Sequence, residues 1–130
     1  MGSAWVGLCC AFALHIADEA LTGFLPVYNA TVRALRQRYR FLSFPTFSFR
    51  LWLTGLVLAC GILFALSGFA FRGAPWIVPI ATAYGAIMVG NGLLHLGASV
   101  RYRRLMPGTY SAPVLLASAI WLLVRVAERN

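Results

Sequence analysis

Uncharged stretches long enough to cross a bilayer decide what this chain can fold into. Residues 1–17 contain no Asp, Glu, Lys or Arg, and further charge-free runs cover 21 residues from Leu51 to Phe71, 28 from Gly73 to Val100 and 20 from Leu105 to Val124. About 20 apolar residues, each rising ~1.5 Å, traverse a ~30 Å hydrocarbon core. The runs therefore predict an all-α integral membrane four-helix bundle, one domain over residues 1–130 with spans near 3–22, 50–71, 76–99 and 109–127. Pro75 and Pro79 suit the first turn of the third helix, and the Pro107-Gly108 pair separates it from the fourth. Pro113 is expected to kink the fourth span near its start, and Gly23 with Pro26 to end the first. The first run reads as a retained helix and not a cleaved signal peptide. Its start has no positive charge, and Asp18 and Glu19 fall where a cleavage site would lie.

The remaining charge is lopsided: eleven basic residues, all Arg, against Asp18, Glu19 and Glu128. A net charge of +8 would suggest nucleic acid in a soluble protein, but the uncharged stretches leave no groove-binding module, and 61% apolar content excludes disorder and an ordinary cytosolic domain. The arginines instead suit membrane lipid and set topology. Arg33, Arg36, Arg38, Arg40, Arg50, Arg101, Arg103 and Arg104 fall in the first and third loops, and Arg72, Arg125 and Arg129 on the other face. The excess predicts loops one and three in the cytoplasm and both termini outside. Trp5, Trp76, Tyr102 and Tyr110 fall near span ends, as an aromatic belt requires. Between the first two spans, Val32, Leu35, Tyr39 and Leu42 recur at helical spacing beside a basic row of Arg33, Arg36 and Arg40, which predicts an amphipathic segment in the membrane interface. It would serve as a topological anchor, a contact for anionic lipid or a cover over a lateral entrance. Asn29-Ala30-Thr31 matches a glycosylation acceptor but lies on the expected cytoplasmic side. Cys9, Cys10 and Cys60 lack metal-binding spacing and read as small packing residues.

Chemistry concentrates in two spans. An ionisable group costs roughly 2.5–3.5 kcal/mol at a span's centre and less near its ends, so such groups usually face the bundle interior. The first span carries His15, Asp18 and Glu19, and on a helix the two carboxyls flank the imidazole, about 40° and 60° to either side. The third carries Asn91 and His95, four apart, with Tyr84 returning to nearly the same face. These spans run in the same direction, so His15, Asp18, Glu19, Asn91 and His95 lie at one depth, toward the Arg-rich face. Thr109 to Ser111 add backbone N–H donors there at the start of the fourth span. A purely structural hydrogen-bond network and a surface pairing of Asp18 with Arg33 or Arg101 are the bland alternatives.

His15-Ile16-Ala17-Asp18-Glu19 resembles the HxxEE signature of a family of small bacterial integral membrane proteins, with Asp in place of the first Glu. Leu25-Pro26-Val27-Tyr28 is similar to that family's Pro-plus-aromatic segment, Asn91 to His95 to its later Asn and His helix, and Arg103 to Ala112 to its Pro-Gly stretch, with no Tyr just before Pro107 and Ser111 where Thr is usual. The resemblance implies a four-span protein of the bacterial inner membrane with a polar site shared by the first and third helices, and it implies no reaction. Two chemistries suit the residues. His15, Glu19 and His95 match the ligand set of a divalent metal, zinc or iron; without one, Glu19 and a histidine could act as acid and base on a lipophilic substrate, as a hydrolase, isomerase or cyclase requires. Asn91 and Tyr84 would orient the substrate. Proton-coupled transport, with a homo-oligomer enclosing the path, and a non-catalytic adaptor are the competing functions.

Overall fold

Glycine and proline set the helix boundaries in the computed structural model, which describes residues 1–39, 41 and 44–129. Helix α1 (Gly2–Thr22) stops at Gly23, whose left-handed φ of 76° glycine adopts without a Cβ clash. Pro26 does not terminate α1. It lies in the first turn of α2 (Phe24–Arg38), where a missing N–H costs no intrahelical bond. Helices α3 (Phe49–Ala65) and α4 (Ser67–Arg72), joined through Leu66, make one segment of membrane length. Helix α5 (Ile77–Tyr102) carries Pro79 in its first turn, and α6 (Ala112–Ala127) closes the fold. No strand occurs among the described residues.

Three segments, α1, α3 with α4, and α5, are long and apolar enough to cross a membrane, which marks the chain as an integral membrane protein. The fourth apolar run forms a shorter helix than its sequence predicts. Residues expected to begin it at 109 are used in turns, with Thr109 N bonded to Met106 O, so α6 has 16 residues and spans ~24 Å. Pro113 produces no kink, because it occupies the first turn of α6.

Helix α1 is the hub: α3 and α4 pack on it, α6 lies between it and α5, and α2 folds back from its C-terminal end. Trp5 belongs to this core and not to the expected belt, being fully buried with its indole N–H on the Leu63 carbonyl at 2.8 Å. Trp76, Tyr102 and Tyr110 are exposed near helix ends, as expected. Cys9 and Cys60 are buried free thiols and Cys10 is exposed. Much of α3 turns outward, with Leu51, Leu58 and Ile62 each more than 60% exposed. Such a surface suits lipid.

Helix α2 is amphipathic as its sequence predicts: Leu25 and Val32 are buried while Arg33, Arg36 and Arg38 are exposed. Arg40 and Leu42 fall outside the described residues, and Tyr39 lies just past the helix end, exposed. Asn29 of the acceptor-like triplet has a structural task. Its amide donates to Phe47 O at 2.9 Å and accepts from Phe47 N at 3.1 Å, while the Tyr28 hydroxyl reaches Pro45 O and Arg36 the Phe44 carbonyl. These bonds lay the extended 44–48 segment along α2.

Helices α5 and α6 approach closely through glycine. A Cβ on Gly92 would stand 3.2 Å from Leu116 Cβ and 3.3 Å from the Ala112 carbonyl oxygen, and one on Gly85 would stand 2.8 Å from Leu123. The Ala112 carbonyl belongs to backbone and can yield only if the whole helix moves. Gly92→Val is therefore expected to destabilise the protein by about 1–3 kcal/mol, read as a lowered midpoint of thermal unfolding in detergent.

Candidate functional site

The last turns of α1 direct His15 and Glu19 inward, and α5 brings His95 to meet them from the other side of the bundle. All three side chains are buried: His15 is 0% exposed, Glu19 6% and His95 7%. One carboxylate oxygen, Glu19 Oε1, stands 3.0 Å from His95 Nε2 and 3.5 Å from His15 Nε2. The imidazoles meet edge to face at 4.8 Å between centroids.

The second nitrogen of each ring decides what this cluster can do. His95 Nδ1 lies 2.6 Å from the Pro107 carbonyl, which can only accept, so that nitrogen carries the proton. His15 Nδ1 lies 2.7 Å from Ser111 Oγ. The Ser111 hydroxyl donates to Asp18 Oδ2 at 2.7 Å, and the Ser111 backbone N–H donates to the same oxygen at 2.9 Å. Its one hydrogen is thus committed, and His15 Nδ1 must be the donor to Ser111. When neutral, both imidazoles therefore present unprotonated Nε2 atoms toward Glu19. His15 Nε2 is buried without a hydrogen-bond partner. Two lone pairs and a carboxylate converge there, a set that a metal ion, or a proton shared with Glu19, would satisfy.

The group has the composition of a metal centre. One ligand atom from each of His15, Glu19 and His95 lies within 4.8 Å of the others, so these residues could hold an ion. Ligands bound at ~2.0–2.1 Å lie roughly 3.0–3.4 Å apart along a coordination edge, close to the two separations from Glu19. The wider gap between the imidazoles would have to narrow around an ion. Nδ1–H groups held by a carbonyl and by a hydroxyl are the outer contacts that fix metal-binding histidines.

The loop between α5 and α6 completes the site. Ser99 Oγ holds it to α5 by bonding Thr109 Oγ1 at 2.6 Å and accepting from Met106 N, while Gly108 N donates to Thr22 Oγ1 of α1. Gly108 has a φ of 82°, and a Cβ there would stand 2.6 Å from the His95 ring and 3.2 Å from Glu19 Cγ. Only glycine lets this backbone cover both side chains.

Of the residues expected from sequence, His15, Glu19 and His95 come together. Asp18 instead receives the two Ser111 donors at the start of α6, and no ion pair to Arg33 or Arg101 occurs among the described residues. Asn91 stays outside the cluster and lines an adjoining cavity with His95. Tyr84 is remote from it in role: its hydroxyl donates to Leu8 O at 3.3 Å and its ring packs on Trp5 and Phe12. Sequence reasoning placed the Thr109 to Ser111 backbone N–H groups at this level, where Ser111 N does donate to Asp18, but it gave no role to the Ser111 hydroxyl, Gly108 or the Pro107 carbonyl. Their only sequence signal was a Pro-Gly pair with a hydroxyl residue three positions after the Gly.

Comparison with known proteins yields one finding. A family model described as a protein of unknown function with HXXEE motif matches residues 6–122. No curated protein and no solved structure matches the chain. The first and last residues of its motif, His15 and Glu19, are two of the three that converge, and the third, His95, falls within the matched region. The chain belongs to the HXXEE-motif family, a family of unknown function.

Proposed function

We propose that this protein is a small intramembrane enzyme in which His15, Glu19 and His95 hold a divalent cation and act on a lipophilic substrate. The observation that carries this reading is the pair of Nε2 lone pairs aimed at one buried carboxylate, with both Nδ1–H groups engaged elsewhere. Two histidines and one carboxylate make up catalytic zinc sites and non-haem iron sites that keep coordination positions open. A bound ion would polarise a substrate oxygen as a Lewis acid, the step that hydrolysis, isomerisation or cyclisation of a lipophile needs. Asp18, through Ser111, and Pro107 orient the two imidazoles, and Gly108 closes the site.

The proposed membrane arrangement has four spans, with α6 and the turn before it as the fourth. The Arg-rich loops lie in the cytoplasm and both termini outside, in keeping with the positive-inside bias. Helix α2 would rest in the interface with its arginines toward headgroups. The site then sits at the cytoplasmic third of the bundle.

A second reading has its own observation. The 3.0 Å separation of Glu19 and His95 is also that of a hydrogen bond, so a proton could serve as the cation, leaving acid–base catalysis or proton movement.

Metal content separates the two. Protein purified in detergent without chelators is expected to carry zinc or iron near stoichiometry by mass spectrometry. His15→Ala, His95→Ala and Glu19→Gln should lose it while keeping the wild-type gel-filtration profile. Metal-free, well-folded wild type that also fails to take up either ion would reject the metal reading and leave the proton. Ser111→Ala should weaken metal affinity about 10–100-fold in chelator competition, because His15 Nδ1 loses its partner, and Ser111→Thr should restore it.

A further inference from the structure

A partly enclosed cavity of about 380 Å³ lies between α2 and α5, beneath Met106 and Pro107 of the loop that covers the site. His95 forms part of its wall, so the cavity and the buried cluster share a side chain. From Asn91 to Tyr102 it follows about three turns of α5, roughly 16 Å. We infer that this cavity binds one small, neutral, single-chain lipophile bearing an oxygen function, with that oxygen at the Asn91 and His95 end and the chain running toward Tyr102. This deepens the reading of a lipophilic substrate and rests on it.

Size, polarity and charge each narrow the occupant. The volume is near the lower end of the ~300–1,000 Å³ typical of small-molecule sites, too small for a two-chain phospholipid. Most of the lining is apolar, including Val27, Leu94, Ala98 and Met106, which suits one chain. The hydroxyls of the α2 wall are turned away, Thr31 onto Val27 O and Tyr28 onto Pro45 O. Asn91, one turn before His95 on α5, remains to meet a polar group, since both His95 nitrogens are engaged by Pro107 and Glu19, and no hydrogen bond to the Asn91 side chain occurs among the described residues. None of the lining residues is Asp, Glu, Lys or Arg. A carboxylate or phosphate headgroup would find no charged side chain in that lining to pair with, whereas an alcohol, aldehyde or ketone needs only a hydrogen bond. The arginines of α2 stay outside on the exposed face. Phe24, directly after the Gly23 joint, has its ring 5.4 Å from that of His95, so α2 brings the cavity wall up to the cluster itself.

The test uses the full chain in detergent and a medium-chain fatty alcohol carrying a diazirine and an alkyne. On illumination, labelling of the α2 and α5 peptides that face the cavity should saturate and be displaced by the unlabelled alcohol, while labelling of lipid-facing α3 should rise without saturating. Ala98→Trp and Val27→Trp fill the cavity from opposite walls, and each should weaken the saturable labelling by roughly tenfold or more, ~1.4 kcal/mol of lost contact. Both should keep wild-type metal content, since neither touches Glu19 or His15. Saturable labelling retained in both variants, or labelling that never saturates at the cavity, would overturn the inference. A fatty acid of equal length that displaces the probe as well as the alcohol does would overturn the neutral headgroup. Saturable labelling in a protein that binds no metal would uphold the cavity and refute the metal reading alone.

Discussion

A carboxylate buried between two imidazoles governs the architecture around it. Within the membrane-spanning part of a protein water is scarce, and an uncompensated charge is costly. Glu19 therefore needs donors or a cation, and the two nearest groups are His15 and His95. Each imidazole is useful only if its far nitrogen is satisfied. Pro107 and Ser111 supply those partners, and both come from the segment that links α5 to α6. The position of that loop, the start of α6 and the spacing of α1 from α5 all follow from holding three side chains in register.

The loop can do this because its own backbone is pinned on two sides. Ser99 holds it to the end of α5, and Thr22 holds Gly108 to the end of α1. Asp18 adds a third tie by accepting from the Ser111 amide and hydroxyl at the start of α6. A carboxylate at a helix N-terminus also faces the favourable end of the helix dipole. Asp18 and Glu19 are neighbours in sequence with different tasks: one anchors a helix, the other enters the cluster. A helix turn of about 100° per residue makes that division unavoidable.

The same geometry joins the cluster to the cavity. His95 faces Glu19 on one side and the cavity on the other, and the opposite cavity wall is the amphipathic helix α2. Asn29 and Tyr28 fasten that helix to the chain leading into α3, so its place beside the site does not depend on lipid alone.

The sequence by itself determined the apolar runs, the amphipathic character of α2, and the presence of His15, Glu19 and His95 at one depth. These follow from hydropathy and from the fixed rise and twist of a helix, which are local properties. Sequence also misplaced several residues, for reasons that are physical. Trp5 near a chain end looks like a belt residue until Leu63 offers its carbonyl from another helix, and Tyr84 shares a helical face with Asn91 yet is held in the core by Leu8. Pro113 reads as a kink when the helix is drawn from 109, and as a helix start once the preceding turn takes up Thr109. Only the tertiary structure decided which ring nitrogens carry protons, that Gly108 must lack a side chain, and that Ser111 joins α6 to both Asp18 and His15. Those facts depend on partners brought together from distant parts of the chain, and no periodicity along one helix encodes them.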